Sequence, residues 1–284
     1  MFVGDNVYTV LKTAKAFLKS KGLFEYDSDA EILLGFVLRI KRSRLLFVIN
    51  QKLTDVQKSE YEECVLRRSR REPVAYITDF AGFMNFEFKV NKNVLIPRPE
   101  TEILVESVLK FSKKENKRSL LDLCTGSGCM AISFRKLGGF EYIMASDINA
   151  DALVVAKENA RINNALDIDF VKSDVFDKIG DKNFDVIVSN PPYVSCEEYD
   201  FLEPELKYEP ENALVAAEDG LFFYREIAVK AGEYLKAGGS IFVELNANKA
   251  RKIKQIFLDE GYGGIEIIKD YAGLPRILKA KNKC

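Results

Sequence analysis

The chain has 284 residues, 47% of them hydrophobic and 30% charged, which is enough for two domains whose cores need neither disulfides nor metals. Its 42 basic and 43 acidic residues leave a formal net charge of −1, so there is no global basic footprint for nucleic acid. Histidine is absent, which removes imidazole bases, histidine metal ligands and the Ser-His-Asp arrangement together.

The five cysteines (Cys64, Cys124, Cys129, Cys196 and Cys284) are odd in number and form no Cys-x-x-Cys pair, against a disulfide scaffold or a zinc ribbon. Reduced thiols fit a cytoplasmic protein. The first residues lack a long apolar run behind a basic start, so no signal peptide is expected. No apolar stretch approaches the ~20 residues of a membrane span. No metal, no membrane and no direct nucleic-acid partner are therefore expected.

Residues 1–72 read as a bundle of helices. Val7, Val10, Leu11, Ala14, Phe17 and Leu18 recur at helical spacing, with Gly22 as the stop. Ser28 with Glu31, and Thr54 with Gln57, have the spacing of capping boxes for two further helices. A short segment, 45–49, lies between them. Arg67, Arg68, Arg70 and Arg71 form the densest basic run, expected to be a solvated helix end favoured by the macrodipole. Pro73 breaks the pattern. Residues 76–90, rich in aromatic and β-branched side chains, predict a hairpin within a 73–94 linker.

From residue 95 to 284 strands and helices alternate. Strands are predicted at 120–123, 142–145, 168–171, 184–189, 240–245, 265–268 and 277–279. Helices are predicted at 150–163, 220–235 and up to 260, and the charged tract 113–118 as a surface loop. Such alternation implies a doubly wound α/β sheet with right-handed crossovers.

The strand at 120–123 and Cys124 run into Thr125-Gly126-Ser127-Gly128, where glycines let the backbone approach a ligand across the strand ends. About 20 residues later Asp147 ends the next strand, where a carboxylate can accept hydrogen bonds from both ribose hydroxyls. This pair serves NAD and S-adenosylmethionine (SAM) alike. Two details favour SAM. Asp122, just before the glycine turn, can approach the amino-acid end of the cofactor, and Asp174-Val175 offers an acidic and an apolar contact for adenine.

The strand at 184–189 ends in Asn190-Pro191-Pro192-Tyr193. An amide or aromatic amine nitrogen is a poor nucleophile, so an enzyme that methylates one must hold its N–H groups and aim the lone pair. Asn190 offers a side-chain carbonyl and Pro191 a main-chain carbonyl, while Tyr193 can stack on a planar acceptor. Pro192 keeps that carbonyl extended. Positioning of this kind is worth on the order of 7–11 kcal/mol in ideal cases. No strong base is needed, which agrees with the absence of histidine.

At these residues the chain resembles the release-factor glutamine methyltransferases, the HemK/PrmC family. The resemblance rests on ProValAlaTyrIleThr at 73–78, LeuIleProArgProGluThrGlu at 95–102, LeuAspLeuCysThrGlySerGly at 121–128, SerAsnProProTyrVal at 189–194, GluProGluAsnAlaLeu at 209–214 and AspGlyLeuPhePheTyrArg at 219–225. It covers nearly the whole chain. It implies a class I SAM-dependent methyltransferase fold (α/β, Rossmann-like, with a mostly parallel seven-stranded sheet) behind an N-terminal helical bundle that helps dock the substrate. It also implies methyl transfer from SAM, giving S-adenosyl-L-homocysteine, to the glutamine side-chain amide of the Gly-Gly-Gln loop in class I peptide chain release factors. The cofactor residues would be Cys124, Thr125, Gly126, Ser127, Gly128, Asp147, Val175 and Asn190; the substrate clamp would be Asn190, Pro191, Pro192 and Tyr193. Pro97 to Glu100 would line the pocket nearby, with Arg98 a positioning group. The chain departs from the family pattern at Asp79, at Ala216-Ala217 and at Asn246, all positions that bear on loop geometry. Two rival readings are an adenine-N6 methyltransferase acting on nucleic acid and a non-catalytic SAM-binding adaptor.

Overall fold

A computed structural model describes residues 4–181 and 183–282; Cys284 lies outside them. Two compact units are present, one from residues up to Phe80 together with Glu203–Tyr208, the other from Ala81–Leu202 and the residues from Glu209 on.

The first unit is helical: α1 (Val7–Ser20), α2 (Tyr26–Leu38), a 3₁₀ segment (Arg42–Val48), α3 (Asp55–Ser69) and α4 (Val74–Thr78). The apolar stripe of α1 (Val7, Val10, Leu11, Ala14 and Leu18) meets Leu33, Leu34 and Val37 of α2 and Tyr61 and Val65 of α3 in one core. Thr54 and Gln57 form the reciprocal capping box expected at the start of α3. Ser28 and Glu31 do not cap α2. That helix begins at Tyr26 after an N-cap, Glu25, with no side-chain cap bond, and the Ser28 hydroxyl donates to the Glu25 carbonyl at 3.1 Å. Glu31 is drawn away by cations of other elements, accepting from Lys15 and Arg42 at 2.6 Å each.

The arginine run also differs from a solvated helix end. Arg68 is 8% exposed, and its guanidinium donates to Asp29 at 2.7 Å and to Glu205 at 3.0 Å. Arg71 reaches the same Glu205 oxygen at 3.1 Å, and Arg67 pairs with Glu72 at 2.6 Å. Three carboxylates, two of them distant in sequence, make the run an ion network.

The hairpin is shorter than predicted: β1 (Phe80–Phe83) and β2 (Phe86–Lys89) are joined by Met84 and Asn85, both at positive φ, as a two-residue turn of matching twist requires. Tyr76, Ile77 and Thr78 are instead the buried end of α4, where the Pro73 carbonyl accepts from the Tyr76 and Ile77 amides. Asp79 ends α4 at φ 63°, a left-handed position suited to glycine.

The second unit continues with α5 (Pro99–Glu115), β3 (Ser119–Leu123), α6 (Cys129–Leu137), β4 (Tyr142–Asp147), α7 (Ala150–Ile162), β5 (Asp169–Lys172), β6 (Phe184–Ser189), α8 (Cys196–Tyr199), α9 (Ala217–Gly220), α10 (Phe222–Tyr234), β7 (Leu235–Glu244), α11 (Ala250–Asp259), β8 (Gly263–Lys269) and β9 (Pro275–Lys281). Residues 113–115, expected in a loop, extend α5 until Asn116 turns left-handed. The strands form one seven-stranded sheet in the order β5-β4-β3-β6-β7-β9-β8, with β9 antiparallel to both its neighbours and the other pairings parallel. This is the class I methyltransferase fold, and it follows the helical unit in the chain.

Alternation along the strands builds a core on each face. Leu121, Leu123, Ile187, Ile241 and Val243 pack with residues of α10 and α11. Leu120, Val186, Val188 and Phe242 pack with residues of α5 and α6. Both faces are covered, so β3 is buried at every position. No helix among the described residues is long and apolar enough to cross a membrane.

Candidate active site

The chain leaves β3 toward β4 and β5 on one side, then returns to place β6 and β7 on the other. The strand order therefore reverses between β3 and β6, where open α/β sheets form ligand crevices beyond their carboxyl ends. A cleft of about 910 Å³, its open mouth included, lies there.

The turn after β3 forms one wall. Cys124, Gly126 and Gly128 have φ of 58°, 54° and 79°. At Gly126 an added Cβ would meet no protein atom within 4 Å, whereas at Gly128 it would stand 3.1 Å from the Ala156 methyl group. Gly126 thus keeps backbone open to the cleft, and Gly128 lets α7 pack close. Cys124, Thr125, Gly126 and Ser127 line the cleft; Gly128 is not among its walls. Asn159 of α7, fully buried, braces the turn by donating to the Ser127 carbonyl at 2.9 Å.

Asp147 lines the cleft at the end of β4. One of its oxygens accepts from the Gly126 amide at 2.8 Å and the other from the Asn149 amide at 2.9 Å, so the carboxylate is aimed by backbone on both sides. Burial raises its proton affinity against these bonds. Val175 also lines the cleft, at φ 41°, a strained position for a β-branched residue. The Ser173 hydroxyl holds it by donating to the Val175 carbonyl at 3.1 Å.

Asp122 is set back from the cleft. It shares the strand face of Leu120, beneath α6, and is not among the cleft walls. One oxygen accepts from the Thr125 hydroxyl at 2.7 Å and the Ala131 amide at 3.1 Å. The other, Oδ1, is buried without a hydrogen-bond partner. Burial pushes this carboxyl up to about 7.

Asn190 follows β6 and lines the cleft with Pro192, whereas Pro191 and Tyr193 are not among its walls. The Asn190 amide nitrogen donates to the Thr101 hydroxyl at 3.2 Å. Tyr193 packs against the core beneath α10 and α11, and its hydroxyl reaches Glu244 at 3.4 Å. The Tyr193 and Val194 amides donate to the Leu214 carbonyl, and the Val194 carbonyl accepts from Ala216. The segment after the double proline is therefore pinned to residues 214–216.

Of the stretch Pro97 to Glu100 expected near the pocket, Pro97 and Arg98 line the cleft, while residues 93–96 and Thr101 were not foreseen. Residues 93–97, Arg98 and Thr101 line the cleft, but Pro99 and Glu100 do not. Buried Glu209 organises this loop, accepting from the Ile96 amide at 2.9 Å and from the Arg98 guanidinium. Asn212, Ala213 and Phe223 complete that side. The co-occurrence of the 95–102 and 209–214 motifs was the available signal; their contact was not legible from spacing.

Comparison with known proteins agrees with this architecture. The family model for the PrmC N-terminal domain matches residues 9–78, and that for the methyltransferase small domain matches 99–203. A release factor glutamine methyltransferase of Thermodesulfovibrio yellowstonii is 40% identical over 253 residues, covering 88% of this chain and 90% of its own length. One from Leptospira interrogans is 37% identical over 279 residues, covering 96% of this chain and 97% of its own. Among solved structures, a methyltransferase from Pyrococcus furiosus shares the fold with a TM-score of 0.53 at 18% identity, covering 80% of this chain and 100% of that one. With full-length relatives at this identity, the chain belongs to the release factor glutamine methyltransferase family.

Proposed function

We propose that this chain transfers a methyl group from SAM to the side-chain amide nitrogen (N5) of the glutamine in the Gly-Gly-Gln loop of a class I peptide chain release factor. Family membership supports the reaction, and the observation that carries the site reading is the Asn190 amide at the cleft wall with its nitrogen engaged by Thr101. Its carbonyl oxygen is then left to accept a substrate N–H.

The residues present fit SAM. Asp147 offers two backbone-aimed carboxylate oxygens for ribose hydroxyls, and the open backbone at Gly126 leaves room for a ligand against the turn. The orphaned Oδ1 of Asp122 adds negative potential behind Thr125, on the side suited to a cationic amino-acid end. Cys124, Thr125, Ser127 and Val175 would supply the remaining contacts, with Gly128 acting through packing. When bound, SAM supplies an electrophilic methyl group on a sulfonium.

The chain's own work is positioning. Asn190 holds one substrate N–H, the Pro191 carbonyl holds the other, Pro192 restricts the Pro191 backbone that carries this carbonyl, and Tyr193 anchors the segment to the core. Among the described residues no group of three or more His, Cys, Asp or Glu could hold a metal ion. We infer that the helical unit docks the release factor and that the enzyme works in the cytoplasm, where translation terminates.

The test is mass spectrometry with peptide mapping of a purified release factor incubated with this protein and SAM. One added methyl group on the Gly-Gly-Gln glutamine is expected. An unmodified release factor, with SAM demonstrably bound, would overturn the substrate assignment. Asp147→Ala should weaken SAM binding, and unchanged affinity would reject its role at the ribose.

A further inference from the structure

We propose that Glu244 and Thr101 are positioning residues that decide which atom of the Asn190 amide faces the cleft. This inference rests on the reading of Asn190 as an acceptor of substrate N–H. The juxtaposition follows from strand parity. Asn190 continues the face of β6 that carries Val186 and Val188, and Glu244 ends β7 on the face that carries Phe242; both faces lie under α5. Thr101 stands in the first turn of α5, 3% exposed, between them.

The hydrogen bonds have a direction. Glu244, 2% exposed, accepts the Thr101 hydroxyl proton at 2.6 Å. An ionised carboxylate only accepts, so the single proton of Thr101 is committed to it. Thr101 has only lone pairs left for Asn190, which must present its NH₂ group at 3.2 Å. The Asn190 oxygen is thereby turned away from Thr101. Without this relay the two orientations of an asparagine amide differ little in shape, and the wrong one sets N–H donors against the N–H donors of a substrate amide. The same carboxylate accepts from the Tyr193 hydroxyl at 3.4 Å, so it serves both ends of the clamp motif.

The relay has a pH dependence. Glu244 faces Thr101 and Glu100 from α5, Cys129 from α6, Tyr224 from α10, Arg276 from β9, and Tyr193 from the segment after β6. Burial, with Glu100 adding to it and Arg276 opposing, pushes its carboxyl up to about 7. Protonated Glu244 can donate to Thr101, which frees the threonine proton for Asn190 and favours the reversed amide.

The experiment measures kcat at saturating SAM across pH, with SAM affinity measured separately, for Thr101→Val, Thr101→Ser, Glu244→Gln, Asn190→Ala and the Thr101→Val/Asn190→Ala double variant. Thr101→Val should lower kcat roughly 10- to 100-fold while SAM affinity stays within about threefold. Thr101→Ser should recover most of the rate. The wild-type rate should fall as pH drops through about 7, and this acid limb should vanish in Thr101→Val and in Glu244→Gln, which cannot titrate. Thr101→Val should add nothing to Asn190→Ala, because it acts through that residue. A Thr101→Val rate near wild type, an independent loss in the Asn190→Ala background, or an acid limb that persists in Glu244→Gln would each overturn the relay alone. Near-normal turnover by Asn190→Ala would overturn the clamp reading, and the relay with it.

Discussion

Gly220 lies so close to Tyr193 that a Cβ on its backbone would stand 2.2 Å from the Tyr193 carbonyl oxygen. Glu218 and Asp219 are left-handed, and Gly220 follows at φ 74°, so the turn presses its own backbone against the end of the Asn190–Tyr193 segment. Gly220→Ala should displace that segment and lower kcat by up to about 100-fold, since roughly 1 Å of misplacement can cost that much. SAM affinity should change less than kcat, because the Gly126 turn, Asp147 and Val175 lie on other loops. Steady-state kinetics beside a SAM titration checks this; an unaffected kcat would mean that the clamp tolerates the shift.

Glu209 joins the loop before α5 to the far side of the cleft through the Ile96 amide and Arg98. Glu209 is 4% exposed, and Glu209→Ala takes this acceptor from the buried Ile96 amide and from the partly exposed Arg98 guanidinium, a loss of about 1–3 kcal/mol. The unfolding midpoint should fall accordingly and catalytic efficiency should fall with it. Glu209→Gln keeps one acceptor and should fall between the variant and wild type. Equal stability of all three proteins would remove Glu209 from the design of the site.

Asp122 has its proton affinity raised in the native state, from an ordinary value of 3.8 to about 7. The folded chain therefore binds this proton more tightly than the unfolded chain does. Its contribution to stability is greatest at low pH and declines as pH rises between those values, then levels off. Glu244, pushed up to about 7 by burial, acts in the same direction. Urea unfolding of wild type and Asp122→Asn at about pH 5 and about pH 8 should show the smaller decline in the variant. Identical declines would show that Asp122 does not titrate in this window.

In the helical unit, Arg68→Ala removes the guanidinium that Asp29 and Glu205 share. Asp29 is 3% exposed, and burial already raises its proton affinity. Breaking a buried pair on one side costs about 3–5 kcal/mol. The unfolding transition of the helical unit, followed by chemical denaturation of the full chain, should move by that order. A loss below about 1 kcal/mol would mean that the pair is hydrated and behaves as a surface one.

The hydrophobic pattern marked β3 and β6 because strands buried on both faces read as nearly unbroken apolar runs. The Thr54 and Gln57 spacing gave a real cap, each side chain bonding the other residue's backbone amide. The same spacing at Ser28 and Glu31 failed, because Lys15 and Arg42 claim Glu31. Asp122 ends up set back from the cleft, because one-residue parity along β3 turns its side chain under α6.

The sequence by itself determined the class of the fold, the glycine turn, Asp147 and the Asn190 motif. These are local: strand period, backbone freedom and motif chemistry are written in neighbouring residues. Tertiary structure alone decided that Glu209 would hold Arg98, 111 residues away, and that Glu244 would reach Thr101 across 143. Such contacts depend on strand order and on which face each strand end presents. Those are settled only when α5, β6 and β7 pack together and must pair their buried polar groups.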